Sequence, residues 1–293
     1  MGETMTSDLT LATAYWDDPA SRAAFKRFML EIFGLDFSEW ESAGYWDASY
    51  RPFSYFRKGE VVANVCVYLL DAIIEGRETR LAQISAVGTL PHWRAQGLNR
   101  LLLELGLEWA RGKHEGVFLF GTEGAIPFYE RCGFRAHPEF IEQMPSPGTA
   151  RRPGLRKLDC TRLEDRETIY ECARRRAPIS RRFAVLNAKL LMFHALHALR
   201  DHAYEIPELE CVVFYKREKR CLQVLDLVGA RVLTLEQLYP YLAAEDDQLI
   251  EFHFSSDRMG VEGTRLVPWP QDNCFVKGSF PLERPVFPFT AKA

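Results

Sequence analysis

Between the strand-like run ending at Leu90 and the leucine-periodic run starting at Leu98 the chain reads Pro91-His92-Trp93-Arg94-Ala95-Gln96-Gly97. A strand that turns through a glycine into a helix leaves the first N–H groups of that helix unpaired and aimed at one spot, where a phosphate or pyrophosphate binds best. Gly97 lets the backbone approach such an anion, although a plain strand-to-helix turn calls for the same glycine. His92 lies beside this loop with a suitable intrinsic pKa, but a loop histidine is more often simply exposed. A second group is the segment WESAGYWDASY from Trp40 to Tyr50, where Trp46 and other rings stand beside Glu41 and Asp47. Rings and carboxylates together can hold a cationic amine, while the same composition also packs entry loops onto a sheet. Arg174, Arg175, Arg176, Arg181 and Arg182 could meet phosphate or RNA, and read better as a solvated helix end. His194 and His197 share a helical face, yet they and His202 lack a third ligand type at suitable spacing, so no metal is expected.

The elements that must position these groups follow from periodicity. Ala24, Phe25, Phe28, Met29 and Ile32 define a helix over Ser21 to Phe33, started by Asp17 and Asp18 ahead of Pro19. An aromatic loop through Tyr50 follows. Residues 53–56 and 61–70 flank Lys58-Gly59 as a hairpin, and Arg80 to Leu90 is the next strand after a Glu75-Gly76 turn. Leu98, Leu101, Leu102, Leu105 and Trp109 mark an amphipathic helix with charged residues opposite. Val117 to Gly121 is a short apolar strand, Gly124 to Arg131 a short helix closed by Gly133, and Phe134 begins another strand.

Two prolonged exclusions come from composition. With 293 residues, 47% hydrophobic and 26% charged, the chain is neither disordered nor low-complexity, and two domains are the better expectation. A net charge of −3 gives no bulk pull toward nucleic acid or an anionic membrane. Residues 1–150 carry 14 Lys+Arg against 20 Asp+Glu and residues 151–293 carry 23 against 20, so neither half is a polyelectrolyte. Seven scattered cysteines without a CxxC, and no basic-then-apolar N-terminal segment, suggest reduced thiols and a cytoplasmic protein. The apolar stretch from Phe183 to Leu199 contains Asn187, Lys189 and two histidines, and is expected to be a buried or amphipathic helix, not a membrane span. Prolines and glycines from Met144 to Gly154 mark a boundary, giving domains 1–148 and 149–293.

Arg94-Ala95-Gln96-Gly97-Leu98-Asn99 resembles the R/Q-x-x-G-x-G/A signature of the GNAT superfamily of acyl-CoA N-acyltransferases, with Asn99 where Gly or Ala is usual. Ala125, Phe128, Tyr129, Gly133 and Phe134 resemble the later A-x-x-F/L-Y-x-x-x-G-F wording of that family. Two signatures in order are far more specific than either alone, and they cover roughly residues 20 to 140. The resemblance implies an α/β fold with a mixed, twisted sheet whose parallel strands 81–90 and 117–121 splay apart. Pantetheine would pair near Val87, Gly88 and Thr89, and the pyrophosphate would meet the loop of Arg94, Ala95, Gln96, Gly97, Leu98, Asn99 and Arg100. Thr122 stands where many members carry an Asn that contacts the cofactor arm. Tyr129 matches the phenol that commonly protonates the departing thiolate. Gln83 and Ser85 occupy positions of a base or water-holding residue, with a water chain as the default base. Gln83, Trp46 and Asp47 are the substrate candidates.

The implied activity is transfer of an acetyl or related acyl group from acetyl-CoA to a small-molecule or peptide amine, with no metal, nucleic acid or membrane partner. A catalytically silent acyl-CoA-binding sensor or scaffold, and an aminoacyl-tRNA-dependent transferase, are the other readings. In the second half, a hairpin (209–215 and 221–228), a Thr234-capped helix and a strand from Leu249 to Phe254 repeat the order of the first. That half looks like a degenerate GNAT-like unit that shapes the acceptor site. Val228-Gly229-Ala230-Arg231 lacks the loop pattern, so no second cofactor site is expected.

Overall fold

A computed structural model describes residues 8–148, 150–269 and 273–293. The chain begins with β1 (Thr10–Thr13) and α1 (Pro19–Phe33). Asp18 caps α1 by accepting from the Ala20 N–H at 3.0 Å, and Gly34 at φ 68° closes it, as an Asp-Pro start and a Gly stop require. Where a loop is expected from sequence, α2 (Ser38–Ser42) forms a short helix around the buried indole of Trp40. Next come β2 (Tyr50–Arg57), β3 (Glu60–Ile74) and β4 (Arg77–Thr89). Lys58-Gly59 and Glu75-Gly76, all four at positive φ, form the tight turns between them. The first half continues as α3 (Leu98–Ala110), β5 (Gly116–Gly121), α4 (Ile126–Arg131), β6 (Phe134–Ala136) and β7 (Phe140–Pro145).

The second half runs β8 (Arg156–Lys157), α5 (Leu163–Arg174), β9 (Phe183–Val185), α6 (Ala188–Leu196), β10 (Ala203–Ile206) and β11 (Cys211–Glu218). It ends with β12 (Cys221–Gly229), α7 (Leu235–Leu242), β13 (Leu249–Phe252), β14 (Arg265–Pro268) and β15 (Asn273–Lys277). One expected helix is corrected: Phe183 to Val185 is the strand β9, paired with Ala72 to Ile74 of β3, and only α6 is helical. Asn187, at the N-cap of α6, separates the two, and periodicity cannot distinguish a three-residue buried strand from the helix that follows it.

Both sheets have one plan. The orders are β1-β2-β3-β4-β5-β15-β6 and β8-β10-β11-β12-β13-β7-β14, antiparallel throughout except for the parallel pairs β4/β5 and β12/β13. The sixth place in each sheet is filled from the other half: β15 lies between β5 and β6, while β7 lies between β13 and β14. With β9 also paired to β3, a cut between residues 148 and 149 parts three strands, β7, β9 and β15, from their sheets. Thr149 itself, inside the Pro/Gly-rich boundary, lies outside the described residues, as do residues 1–7 of the N-terminal segment.

The main core also spans both halves. Phe287 stacks on Phe118 of β5 at 5.0 Å and meets Phe183 of β9 edge-on at 5.2 Å. All seven cysteines are free. Among the described residues no helix is long and apolar enough to cross a membrane.

Candidate active site

The site begins where β4 and β5 part. Leu81 to Ile84 pair with Gly116 to Leu119, and there the ladder stops, although β4 continues to Thr89 and β5 to Gly121. On its other edge β4 carries a bulge: Ser85 opposes Cys66 and Gly88 opposes Asn64, so two residues of β4 face one of β3. The extra residue turns Ala86 to φ 48°, a left-handed conformation unusual for alanine, and bends the strand away from β5. Asn64 fixes that bend by donating from Nδ2 to the Ala86 carbonyl at 2.9 Å. Its Oδ1 accepts from the Ser54 hydroxyl at 2.7 Å, and Ser54 meets the Tyr15 phenol at 2.8 Å. A wholly buried Asn in an otherwise apolar strand thus has its polar atoms occupied. Burial pushes the neighbouring Cys66 thiol up to about 12 and raises the phenol of Tyr50, so both stay neutral.

The loop after β4 ends in Gly97 at φ 78°, the N-cap of α3, with no side-chain cap. Among the described residues the N–H groups of Ala95, Gln96, Gly97, Leu98 and Asn99 reach no carbonyl; the first internal bond comes from Arg100 to Gly97. These donors and the positive end of the helix dipole make an anion cradle. Arg94 donates to the Thr89 carbonyl at 3.2 Å, tying the loop to the end of β4, and Gln96 reaches the His92 carbonyl at 3.4 Å. Asn99, the departure from the family signature, keeps a buried Oδ1 without a partner. Gly88 serves packing: a Cβ there would lie 2.9 Å from Phe33 and 3.0 Å from Ile32 of α1.

Across the gap, Tyr129 on α4 lies over the end of β5, allowed by Gly121, where a Cβ would come within 2.8 Å of the ring. Burial, with the nearby Cys132, pushes the phenol up to about 12. No hydrogen bond to its hydroxyl is found among the described residues, and Tyr129 lines a cavity of about 290 Å³. Ile84 to Val87, Gly121 and Thr122 border the same cavity. Leu190 and Phe193 of α6, together with Ala293, close it from the second half. Gln83 is buried beside it, donating from Nε2 to the Ala293 backbone oxygen at 3.3 Å while its Oε1 stays unpaired.

The acceptor candidates in the aromatic loop, Trp46 and Asp47, lie outside the lining of this cavity. Trp46 packs on Phe25 at 5.0 Å and donates to the Tyr50 carbonyl at 3.2 Å; Asp47 pairs with Lys189 at 2.8 Å. Neither lines the cavity, because both secure the loop against α1 and α6. Trp40, Tyr50 and Phe37 line it instead. Phe193 had no local signal, since its partners are about 150 residues away in sequence, whereas the lone Asn64 within VVANVCVYLL was a legible one. The arginine cluster is largely committed: Arg174 and Arg175 pair with Glu171, and Arg176 forms a buried pair with Asp226 at 2.8 Å. His194 meets the Lys292 carbonyl at 2.6 Å.

The second sheet has its own parallel pair, β12 and β13, connected through a helix, but that helix, α7, is differently capped. The Thr234 hydroxyl accepts from the Gln237 N–H at 3.3 Å, the Gln237 side chain accepts from the Thr234 N–H at 3.0 Å, and the Leu235 N–H bonds the Met259 carbonyl at 2.9 Å. A capping box spends the donors that α3 leaves open.

Residues 12–134 match the model of the Acetyltransferase (GNAT) family. No curated protein matches the chain in sequence. Among solved structures it is similar to a conserved protein of unknown function from Enterococcus faecalis V583, at 14% identity and TM-score 0.56 over 97% of this chain and 74% of that one. It is also similar to Eis1 from Mycobacterium abscessus, at 18% identity and TM-score 0.53 over 92% and 73% of the two chains. A GCN5-related N-acetyltransferase from Kribbella flavida aligns at 17% identity and TM-score 0.52 over 94% and 72%. At these identities the likeness concerns the fold, and it extends over both halves. With the family match, the parted strands and the open helix start, the chain carries an acyltransferase domain of the GNAT family.

Proposed function

We propose that the protein transfers an acetyl group from acetyl-CoA directly to an amine, with Tyr129 as the general acid. The observation that carries this reading is the phenol of Tyr129, without a hydrogen-bond partner among the described residues and facing the cavity at the mouth of the β4–β5 gap. The backbone of Val87, Gly88 and Thr89 pairs with the pantetheine arm, and the N–H groups of the loop from Arg94 to Arg100 hold the pyrophosphate. Thr122 borders the arm.

The amine nitrogen bonds to the thioester carbonyl carbon, the C–S bond breaks, and the thiolate takes the Tyr129 proton. The proton shed by the new amide nitrogen returns to the phenolate through water, with the polar edge of Gln83 and Ser85 beside the path. A phenol held near 12 remains protonated at working pH, so it is always loaded as a donor.

The second half is a degenerate GNAT-like unit, a reading supported by the shared seven-strand order of the two sheets, which β9 extends in the first, and binds no cofactor of its own because α7 is capped by its own side chains. Calorimetric titration with acetyl-CoA tests the binding half of the proposal, with one site per chain expected. Tyr129→Phe tests the chemistry: kcat should fall about 10²-fold or more with the acetyl-CoA Kd unchanged. Binding without CoA release for any amine would support a sensor instead.

A further inference from the structure

The chemistry of the acceptor follows from the wall of the same cavity. Beyond the β4–β5 gap the wall is made by Phe33, Leu35 and Phe37 at the end of α1, by Trp40 of α2, and by Leu190 and Phe193 of α6. The rings interlock: Phe37 and Phe193 lie 5.1 Å apart, Trp40 and Phe193 5.6 Å, and Phe37 and Trp40 5.5 Å. The Trp40 indole donates to the Lys189 carbonyl at 2.7 Å, so α6 holds its orientation.

The side chains of this wall are apolar or neutral. Among the described residues no Asp or Glu lines the cavity. The carboxylates around it are committed: Glu39 to Arg166 and Arg200 at 3.1 Å each, Glu41 to Arg22 and Lys26, and Asp47 to Lys189. A polyamine or a Lys-rich peptide would lose the hydration of its extra charges here and meet no Asp or Glu side chain of the lining. A single amine on an apolar body meets a smaller penalty, and desolvation favours its neutral, nucleophilic form. At about 290 Å³ the space is at the small end of ligand pockets and is shared with the end of the cofactor arm, which leaves room for a small body.

We propose that the acceptor is a primary monoamine on a small aromatic body, an arylalkylamine, with its ring against Phe37, Trp40 and Phe193 and its nitrogen toward the thioester beside Tyr129. This rests on the transfer reading given above. Transfer forms the N–C bond of an N-acetyl arylalkylamine and releases CoA as the thiol, with no other reactant.

The test uses the full chain with saturating acetyl-CoA and reads CoA thiol release with phenethylamine, spermidine and a Lys-rich peptide. The expected kcat/KM for phenethylamine exceeds that for spermidine by about 10²-fold or more. Phe193→Ala should cut it about 10-fold, chiefly through KM, with the acetyl-CoA Kd unchanged. A preference for spermidine or the peptide overturns the inference and leaves acetyl transfer standing. So does a Phe193→Ala effect confined to longer acyl-CoAs, with hexanoyl-CoA preferred over acetyl-CoA, which would make the cavity an acyl pocket. Quenching of tryptophan fluorescence by phenethylamine, measured with CoA bound, separates the two levels. Quenching without turnover of any amine sinks the transfer reading and keeps the ring site, while neither quenching nor turnover overturns the ring site as well.

Discussion

At Tyr129 the same burial that shelters the phenol sets its pH behaviour. Its folded pKa, near 12, lies above the reference value of about 10, so the neutral phenol is favoured in the fold and ionises only at a pH beyond the unfolded value. Its titration should therefore impose no alkaline fall in kcat below about pH 10. A pH–rate profile with a limb near 8 or 9 that vanishes in Tyr129→Phe would contradict this assignment. Gly97 makes a different demand, because its φ of 78° is strained for any side chain although a Cβ there would meet nothing within 4 Å. Gly97→Ala should then cost about 1 kcal/mol in stability and raise KM for acetyl-CoA several-fold, with kcat little changed. Steady-state kinetics at saturating amine would read that split, and an unchanged KM would remove the loop from cofactor binding.

The first element-scale consequence is the exchange of β7 and β15. Without β15, β5 and β6 lose the strand that joins them, and Leu119, Phe120 and Tyr129 are left beside an open edge. A fragment of residues 8–148 should therefore fail to give a cooperative transition in circular dichroism, and a folded, acetyl-CoA-binding fragment would show that the exchange is dispensable. Thr234→Ala offers the complementary case: loss of the capping box should lower stability by about 1 kcal/mol and leave acetyl-CoA affinity untouched. The exchange also marks the limit of what was legible in the sequence. Local signals served for α1, with its Asp-Pro start and Gly stop, for the Lys58-Gly59 hairpin, and for the open start of α3, because each depends on residues adjacent in the chain. Nothing local distinguishes a β15 that pairs with β5 from one that stays in its own half. Likewise, the ring contacts of Phe193 are fixed only when α6 meets α2, so the acceptor candidates visible beforehand were Gln83 on its strand and Trp46 and Asp47 in the aromatic loop.

Across the whole molecule, the segment from Phe287 to Ala293 couples the second sheet to the cavity. Thr290 donates to Asp226 of β12, which Arg176 holds through a second, almost fully buried contact; His194 donates to the Lys292 carbonyl; and the Lys292 ammonium meets Glu139. Removing Arg176 leaves a buried carboxylate without its counter-charge, a change that typically costs about 3–5 kcal/mol. Arg176→Met should therefore lower the single thermal transition of the intact chain and raise KM for the amine more than for acetyl-CoA, since the cavity wall moves while the anion cradle does not. Acid acts on the same clasp with a definite sign. Burial pulls the His194 imidazole down to about 4 from a reference near 6.5, so the neutral ring is the form the fold prefers. The unfolded chain binds the extra proton between those values, and His194 contributes stability that is present above about pH 6.5 and is lost as the pH falls toward 4. Denaturant titrations of the wild type and of His194→Gln across that range should show a steeper loss in the wild type; parallel curves would mean that protonation of His194 is not what the fold resists. The segment that closes the cavity is thus held by groups from both halves, and neither its position nor the cavity it walls is a property of residues 12–134 alone.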